Sequence, residues 1–214
     1  MIDSYRHKGM RRSLVQKLKE KGIKNESVLE AINSVPRHVF FDSALIDHAY
    51  QDKAFPIGEG QTISQPYTVA FQTELLDVRK GSKILEIGTG SGYQACVLLE
   101  LGVELYTIEY QKMLYQKAKT MLPKMGYEPN FFQGDGSMGM KALAPFDGII
   151  VTAGAPTIPE ELISQLKPLG KLVIPVGDRK SQKMLRIIKD ESGDTVQEEF
   201  DHFAFVPLVG DKGW

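Results

Sequence analysis

The chain has 214 residues, 42% hydrophobic and 25% charged, with a net charge of −1; that supports a sizeable core and excludes a disordered chain. Near-neutral charge excludes a general nucleic-acid binder, which carries a basic excess or stripe, and the densest basic run, KLKEKGIK, is broken by Glu20 and reads as a solvated face. The single cysteine, Cys96, excludes an intrachain disulfide and reads as a buried thiol in YQACVLLEL, while the four scattered histidines lack zinc-site spacing.

The opening segment MIDSYRHKGMRRS has no signal-like apolar region, and no run of 18 apolar residues occurs, so a soluble cytoplasmic protein is expected. Met10, Leu14 and Leu18 recur at helical spacing before Gly22 as a stop. Asn25 is the expected N-cap of ESVLEAINSV, with Val28, Ile32 and Val35 on one stripe and Pro36 ending it. Residues 37–55 predict short helical pieces. FPIGEGQTISQP, residues 55–66, reads as a polar loop. PYTVAFQTELLDV then predicts an amphipathic helix with Val69, Leu75, Leu76 and Val78 inward.

From residue 82 strands and helices alternate. SKILEIG, VELYTIE, PNFFQGD, FDGIIVTAG and GKLVIPVG read as strands; YQACVLLELG, YQKMLYQKAKTML and IPEELISQL read as helices. The run Ile149, Ile150, Val151 implies burial on both strand faces. The tail reads as strand, Ser-Gly-Asp turn and strand, hence antiparallel pairing. The expected fold is α/β: a doubly wound, mostly parallel sheet with antiparallel C-terminal strands and a helical N-terminal extension. One domain is expected over 1–214, with the helical region and loop in 1–80 and the α/β core in 81–214.

ILEIGTGSGYQ is the sharpest local motif. A buried strand runs into Gly88, Gly90 and Gly92, where glycine permits a tight turn and close backbone approach to a ligand. The dinucleotide fingerprint would need glycine at 93, where Tyr93 stands, which disfavours a nicotinamide dehydrogenase. Glu86, Gly88, Thr89, Gly90 and Gly92 instead form a [D/E]-x-G-x-G-x-G pattern that resembles the first motif of S-adenosyl-L-methionine-dependent methyltransferases. Glu86 is a candidate for organising the cofactor's amino end, and Glu109 stands at the offset where an acid meets ribose hydroxyls. Asp135 and Gly136 close the third strand, with Asp135 a candidate acceptor for the adenine amino group.

VPRHVFF, AYQDKAFPIGEGQTISQPYTVA, LEIGTGSGYQ, GDG, APFDGIIVTA, LKPLGKLVIPVG and FVPLVG occur in this order. Together they resemble the protein-L-isoaspartate (D-aspartate) O-methyltransferase family, over about Val35 to Gly210. This sequence departs from the family's common pattern at Ser137 and Met138, where Trp often follows GDG, and at Gly154, where Ala is common.

The resemblance implies methyl transfer to the free carboxylate of L-isoaspartyl residues, and of D-aspartyl ones, in damaged proteins and peptides. The ester then collapses to a succinimide, which initiates repair. A carboxylate of pKa about 4 is already ionised and needs no general base. The resemblance makes Ser64 the residue that orients this carboxylate, with Thr62 a second donor and Ile63 and Gln65 beside it. It places Val206 and Leu208 against the peptide, although FAFVPL also reads as an edge strand. No metal is implied, and a monomer is expected. Trp214 reads as frayed surface. Two other readings stay open: a methyltransferase of this fold with another acceptor, and a cofactor-binding protein that no longer catalyses.

Overall fold

The computed structural model describes residues 3–214. Helix α1 (Tyr5–Glu20) is capped by the Ser4 hydroxyl, and α2 (Glu26–Ser34) by Asn25, whose Oδ1 accepts from Val28 N at 3.3 Å. Two short 3-10 turns follow, Arg37–Phe40 and Ser43–His48.

The polar stretch at 55–66 is a hairpin rather than an irregular loop. Strands β1 (Phe55–Gly58) and β2 (Gln61–Ile63) pair antiparallel outside the main sheet. Their link is Glu59 and Gly60, with φ of 53° and 67°. Two left-handed residues make the turn whose twist matches a two-residue hairpin. Pro56 and the glycines mask the alternation that would have announced these strands.

Helix α3 (Pro66–Leu76) buries Val69, Leu75 and Leu76, but also Thr68, Gln72 and Thr73. Wedged between α2 and the sheet, it is buried on more than one face, and Val78 lies beyond its end. Its polar groups are satisfied: Gln72 donates to the Val151 carbonyl at 2.9 Å, and Thr73 accepts from Gln94 at 2.8 Å.

The alternating region gives β3 (Lys83–Ile87), α4 (Tyr93–Glu100), β4 (Glu104–Glu109), α5 (Lys112–Met121), β5 (Asn130–Gln133), β6 (Phe146–Val151) and α6 (Glu160–Ser164). Then come β7 (Leu166–Gly177), β8 (Gln182–Lys189) and β9 (Thr195–Phe203). The seven-stranded order is β5-β4-β3-β6-β7-β8-β9, parallel from β5 to β7 and antiparallel thereafter. The β6 run divides its side chains between two cores: Ile150 joins Leu14, Ile32 and Val69 on one face, and Ile149 and Val151 join Leu162 and Leu172 on the other. The chain winds outward from β3 to β5, then returns to β6 on β3's other side. That reversal leaves a crevice at the strands' carboxyl ends.

Candidate active site

The crevice is a cleft enclosing about 730 Å³, solvent mouth included. One wall is the turn after β3. Gly88, Gly90 and Gly92 have φ of 96°, 53° and 88°, a backbone that L side chains avoid. A Cβ on Gly88 would lie 2.5 Å from the Thr152 hydroxyl, which itself donates to the Gly88 carbonyl at 2.6 Å. Glu109, at the end of β4, holds this turn: Oε2 accepts from Gly90 N at 2.7 Å and Oε1 from Gln111 N at 2.8 Å. A carboxylate has about four acceptor directions, so Glu109 keeps lone pairs for the cleft it lines.

Glu86 lies behind this wall, fully buried and outside the cleft lining. Its Oε2 accepts from the Thr107 hydroxyl at 2.6 Å, and Thr107 pairs with Thr89, a lining residue, at 2.6 Å. Burial pushes the carboxyl up to about 8 and the Glu109 charge adds to that, against the Thr107 bond. Glu86 is therefore mostly neutral at pH 7, and its Oε1 has no partner.

Gly136 lines the cleft, and a Cβ there would fall 2.8 Å from Ile87 and 2.7 Å from Ile108. Asp135 is turned to its own chain: Oδ1 accepts from Ser137 N and Oδ2 from Asp211 N, both at 2.8 Å. Burial alone would raise this carboxyl, but the backbone bonds hold it below the usual range. Like Glu86, Asp135 lies outside the cleft lining, and its neighbour Gly136 is the one that borders the space. Gln94 Oε1, buried and unpartnered, also belongs to a lining residue. Glycine backbone without room for side chains, together with the unpartnered Gln94 acceptor and the lone pairs left on Glu109, fits a donor-rich cofactor of the S-adenosyl-L-methionine type.

The opposite wall is β2. Gln61, Thr62, Ile63 and Ser64 face the cleft, and from β1 the Ile57 methyl reaches over Gly90, 3.6 Å from where a Cβ would be. Ile63 is 2% exposed. Gln65 lies beyond the cleft and donates to Asp52 at 3.1 Å, while Asp52 also accepts from Tyr67 N at 2.8 Å. A second, open groove of about 1040 Å³ runs past Gln65, Tyr67, His202 and Phe205. Thr62, Ser64, Thr152 and Val206 line both spaces, so the two meet at these four residues. Among the described residues nothing hydrogen-bonds the Ser64 hydroxyl; only its main-chain carbonyl is engaged, accepting from Arg37 at 3.0 Å.

The C-terminal segment closes the remaining side. β9 ends at Phe203, and the chain beyond it runs beside Gly154 instead of extending the edge: Gly154 N donates to Val206 O and Leu208 N to Gly154 O, both at 2.8 Å. Val206 reaches both spaces, whereas Leu208 is buried and faces the cofactor side only. Trp214, expected to fray, is anchored: its indole donates to the Gly154 carbonyl and its main-chain N–H to Leu208 O, each at 3.0 Å. Ser137, in the position where Trp is common, is fully buried and accepts from Lys212 N at 3.0 Å.

Two features escaped sequence reading. Thr152 lies inside the quoted VTAG, and only the β6 register shows that it faces Gly88. Asp3, His7 and His38, distant in sequence, bring donor atoms within 4.8 Å. Both Asp3 oxygens receive Arg11, and the two imidazoles stack at 3.8 Å between centroids. Stacked rings cannot both aim an in-plane nitrogen at one ion, so this is a packing cluster.

The family model for protein-L-isoaspartate (D-aspartate) O-methyltransferase matches residues 9–213, further toward the N-terminus than the sequence motifs reach. A protein-L-isoaspartate O-methyltransferase of Cytophaga hutchinsonii is 60% identical over 214 residues, covering 100% of this chain and 97% of the relative. One from Flavobacterium psychrophilum is 55% identical over 213 residues, covering 99% and 100%. A solved protein-L-isoaspartate O-methyltransferase superposes with a TM-score of 0.85 at 29% identity, over 95% of this chain and 67% of that one. A Plasmodium falciparum chain assigned the same activity, in complex with S-adenosyl-L-homocysteine, gives 0.79 at 26% identity, over 93% and 98%.

Proposed function

The chain belongs to the protein-L-isoaspartate (D-aspartate) O-methyltransferase family, and from that premise we propose which residues carry the reaction. The protein transfers a methyl group from S-adenosyl-L-methionine to the free carboxylate of isoaspartyl residues in damaged proteins and peptides, which starts their repair through a succinimide.

S-adenosyl-L-methionine supplies a methyl group carried on positively charged sulfur. Gly88, Thr89, Gly90 and Gly92 hold it by main chain, Glu109 accepts from the ribose hydroxyls, and Gly136, beside Asp135, borders the adenine. Glu86 acts through Thr107 and Thr89. Ser64 donates to one oxygen of the acceptor carboxylate, with Thr62 beside it. Ile63 and Gln65 fix the strand end, Val206 meets the peptide and Leu208 backs it.

The acceptor arrives ionised, so the protein needs no base; its contribution is alignment, which supplies several kcal/mol. One observation carries this reading: an unengaged hydroxyl, Ser64, stands where the cofactor cleft meets a second, open groove. One domain and one chain supply both walls, which supports a monomer. Among the described residues no helix is long and apolar enough to cross a membrane.

The test uses radiolabelled cofactor and a pair of peptides differing only in isoaspartyl against aspartyl linkage. Base-labile methyl ester is expected on the isoaspartyl peptide alone. Equal labelling of both would overturn the acceptor assignment, and cofactor binding without turnover would favour a non-catalytic role.

A further inference from the structure

Arg37, in the VPRH segment, is fully buried, a costly place for a cation unless it is well bonded. Its partners are three carbonyls, reached by Nε and Nη2, and two rings; Nη1 is buried without a hydrogen-bond partner. Nε donates to Ala49 O at 2.9 Å, and Nη2 to Lys53 O at 3.3 Å and Ser64 O at 3.0 Å. The guanidinium lies 4.6 Å from the Tyr93 ring centre and 5.4 Å from that of Phe41. Burial lowers its pKa to about 10, so it stays charged at neutral pH. Tyr93 opens α4 and lines the cofactor cleft; Ser64 ends the acceptor strand. One planar group thus touches both walls, and neither contact is local in sequence.

We infer that Arg37 is a positioning residue for methyl transfer, a strut that fixes the Ser64 main chain relative to the Tyr93 face of the cofactor cleft. The inference rests on the reading of the strand end at Ser64 as the acceptor wall. Transfer between two bound groups is steeply sensitive to their spacing, and a misplacement of about 1 Å can cost 10²-fold. Lysine cannot replace the strut, because a single ammonium lacks the fork that reaches separated carbonyls while lying flat on a ring.

The test compares Arg37→Lys, Arg37→Met, Ser64→Ala and the double Arg37→Lys/Ser64→Ala in the full chain. The readouts are kcat and KM on the isoaspartyl peptide, S-adenosyl-L-homocysteine affinity by calorimetry, and amide exchange. Arg37→Lys should lower kcat by roughly 10²-fold, leave S-adenosyl-L-homocysteine affinity within about threefold, and speed exchange at 61–65 but not in α4. The double variant should be no worse than the poorer single, since groups acting through one another are not additive.

Unchanged kcat, affinity falling in step with kcat, or multiplied losses in the double would each overturn the inference. So would failure of both Arg37 variants to fold, which would make the residue purely structural. If Arg37→Met alone is unfolded, Arg37→Lys decides. If Ser64→Ala keeps full kcat while Arg37→Lys loses it, the hydroxyl reading fails and the strut stands, because Arg37 grips the Ser64 carbonyl.

Discussion

The two walls of the site are built by different means. The cofactor wall is the end of a central strand: β3 is paired on both sides, its turn is fixed by glycine φ angles, and Glu109 ties the amides of Gly90 and Gln111, 19 residues before it and 2 after it. The acceptor wall is a two-stranded hairpin outside the main sheet, held by Arg37 and Asp52 through bonds from other segments. A strand-turn inside a sheet is stiff because the ladder over-determines it. A hairpin on the surface is only as well placed as the few side chains that pin it. The first arrangement suits a ligand common to many enzymes, and the second suits the part that must select one acceptor.

The largest expected effect tests how far the first wall belongs to the dry interior. The Glu86 carboxyl is raised from 4.5 to about 8 in the folded protein, chiefly by burial. Between those values the native state binds more protons than the unfolded one, so this contribution to stability is whole below about pH 4.5 and is lost as pH rises through about 8. Glu86→Gln is uncharged in both states and lacks that slope. The urea stability of wild type relative to Glu86→Gln should fall by on the order of a few kcal/mol between pH 5 and 9. A flat difference would mean that the carboxyl is ionised in place, and the cofactor wall would then be as polar as its partner.

Next in size is the acceptor wall. Ser64→Ala removes one hydrogen bond to a charged carboxylate, worth about 1.5–3 kcal/mol, so kcat/KM on the isoaspartyl peptide should drop roughly 10- to 150-fold. Because the hydroxyl has no bond within the described residues, unfolding temperature and S-adenosyl-L-homocysteine affinity should hold. Loss of affinity in place of turnover would erase the distinction between the walls.

The same contrast explains what could be read from the residues. The cofactor wall was legible because its determinants are contiguous: an apolar strand, three glycines and acids at strand ends. Even there burial was not legible. Glu86 sits behind the cleft and Asp135 bonds its own backbone, because Thr107 and the C-terminal amides that engage them come from elsewhere in the fold. The hairpin was hidden because its strands have four and three residues and include Pro56. Its anchors, Arg37 and Asp52, lie 27 and 13 residues from what they hold. Composition assigns such a segment to loop, and only the family resemblance raised Ser64 above its surroundings.

The smallest effect concerns the C-terminal strap, which borders both the cleft and the groove through Val206. Trp214→Ala removes its indole bond to Gly154 O and a ring that lies 5.3 Å from Arg179, and leaves the main-chain N–H of residue 214 on Leu208 O in place. The Gly154 carbonyl keeps its bond from Leu208 N, so no buried acceptor is orphaned and the cost should be about 1 kcal/mol. For a chain of this length that is roughly 2–4 °C in unfolding temperature. The neighbouring strap residues bond Asp135 and Ser137, beside the Gly136 that lines the cofactor cleft. Any functional loss should therefore appear as weaker S-adenosyl-L-homocysteine binding, by less than about tenfold, with peptide KM unchanged. A rise in peptide KM at constant cofactor affinity would move the strap to the acceptor wall and make selection of the peptide a property of two surface segments instead of one.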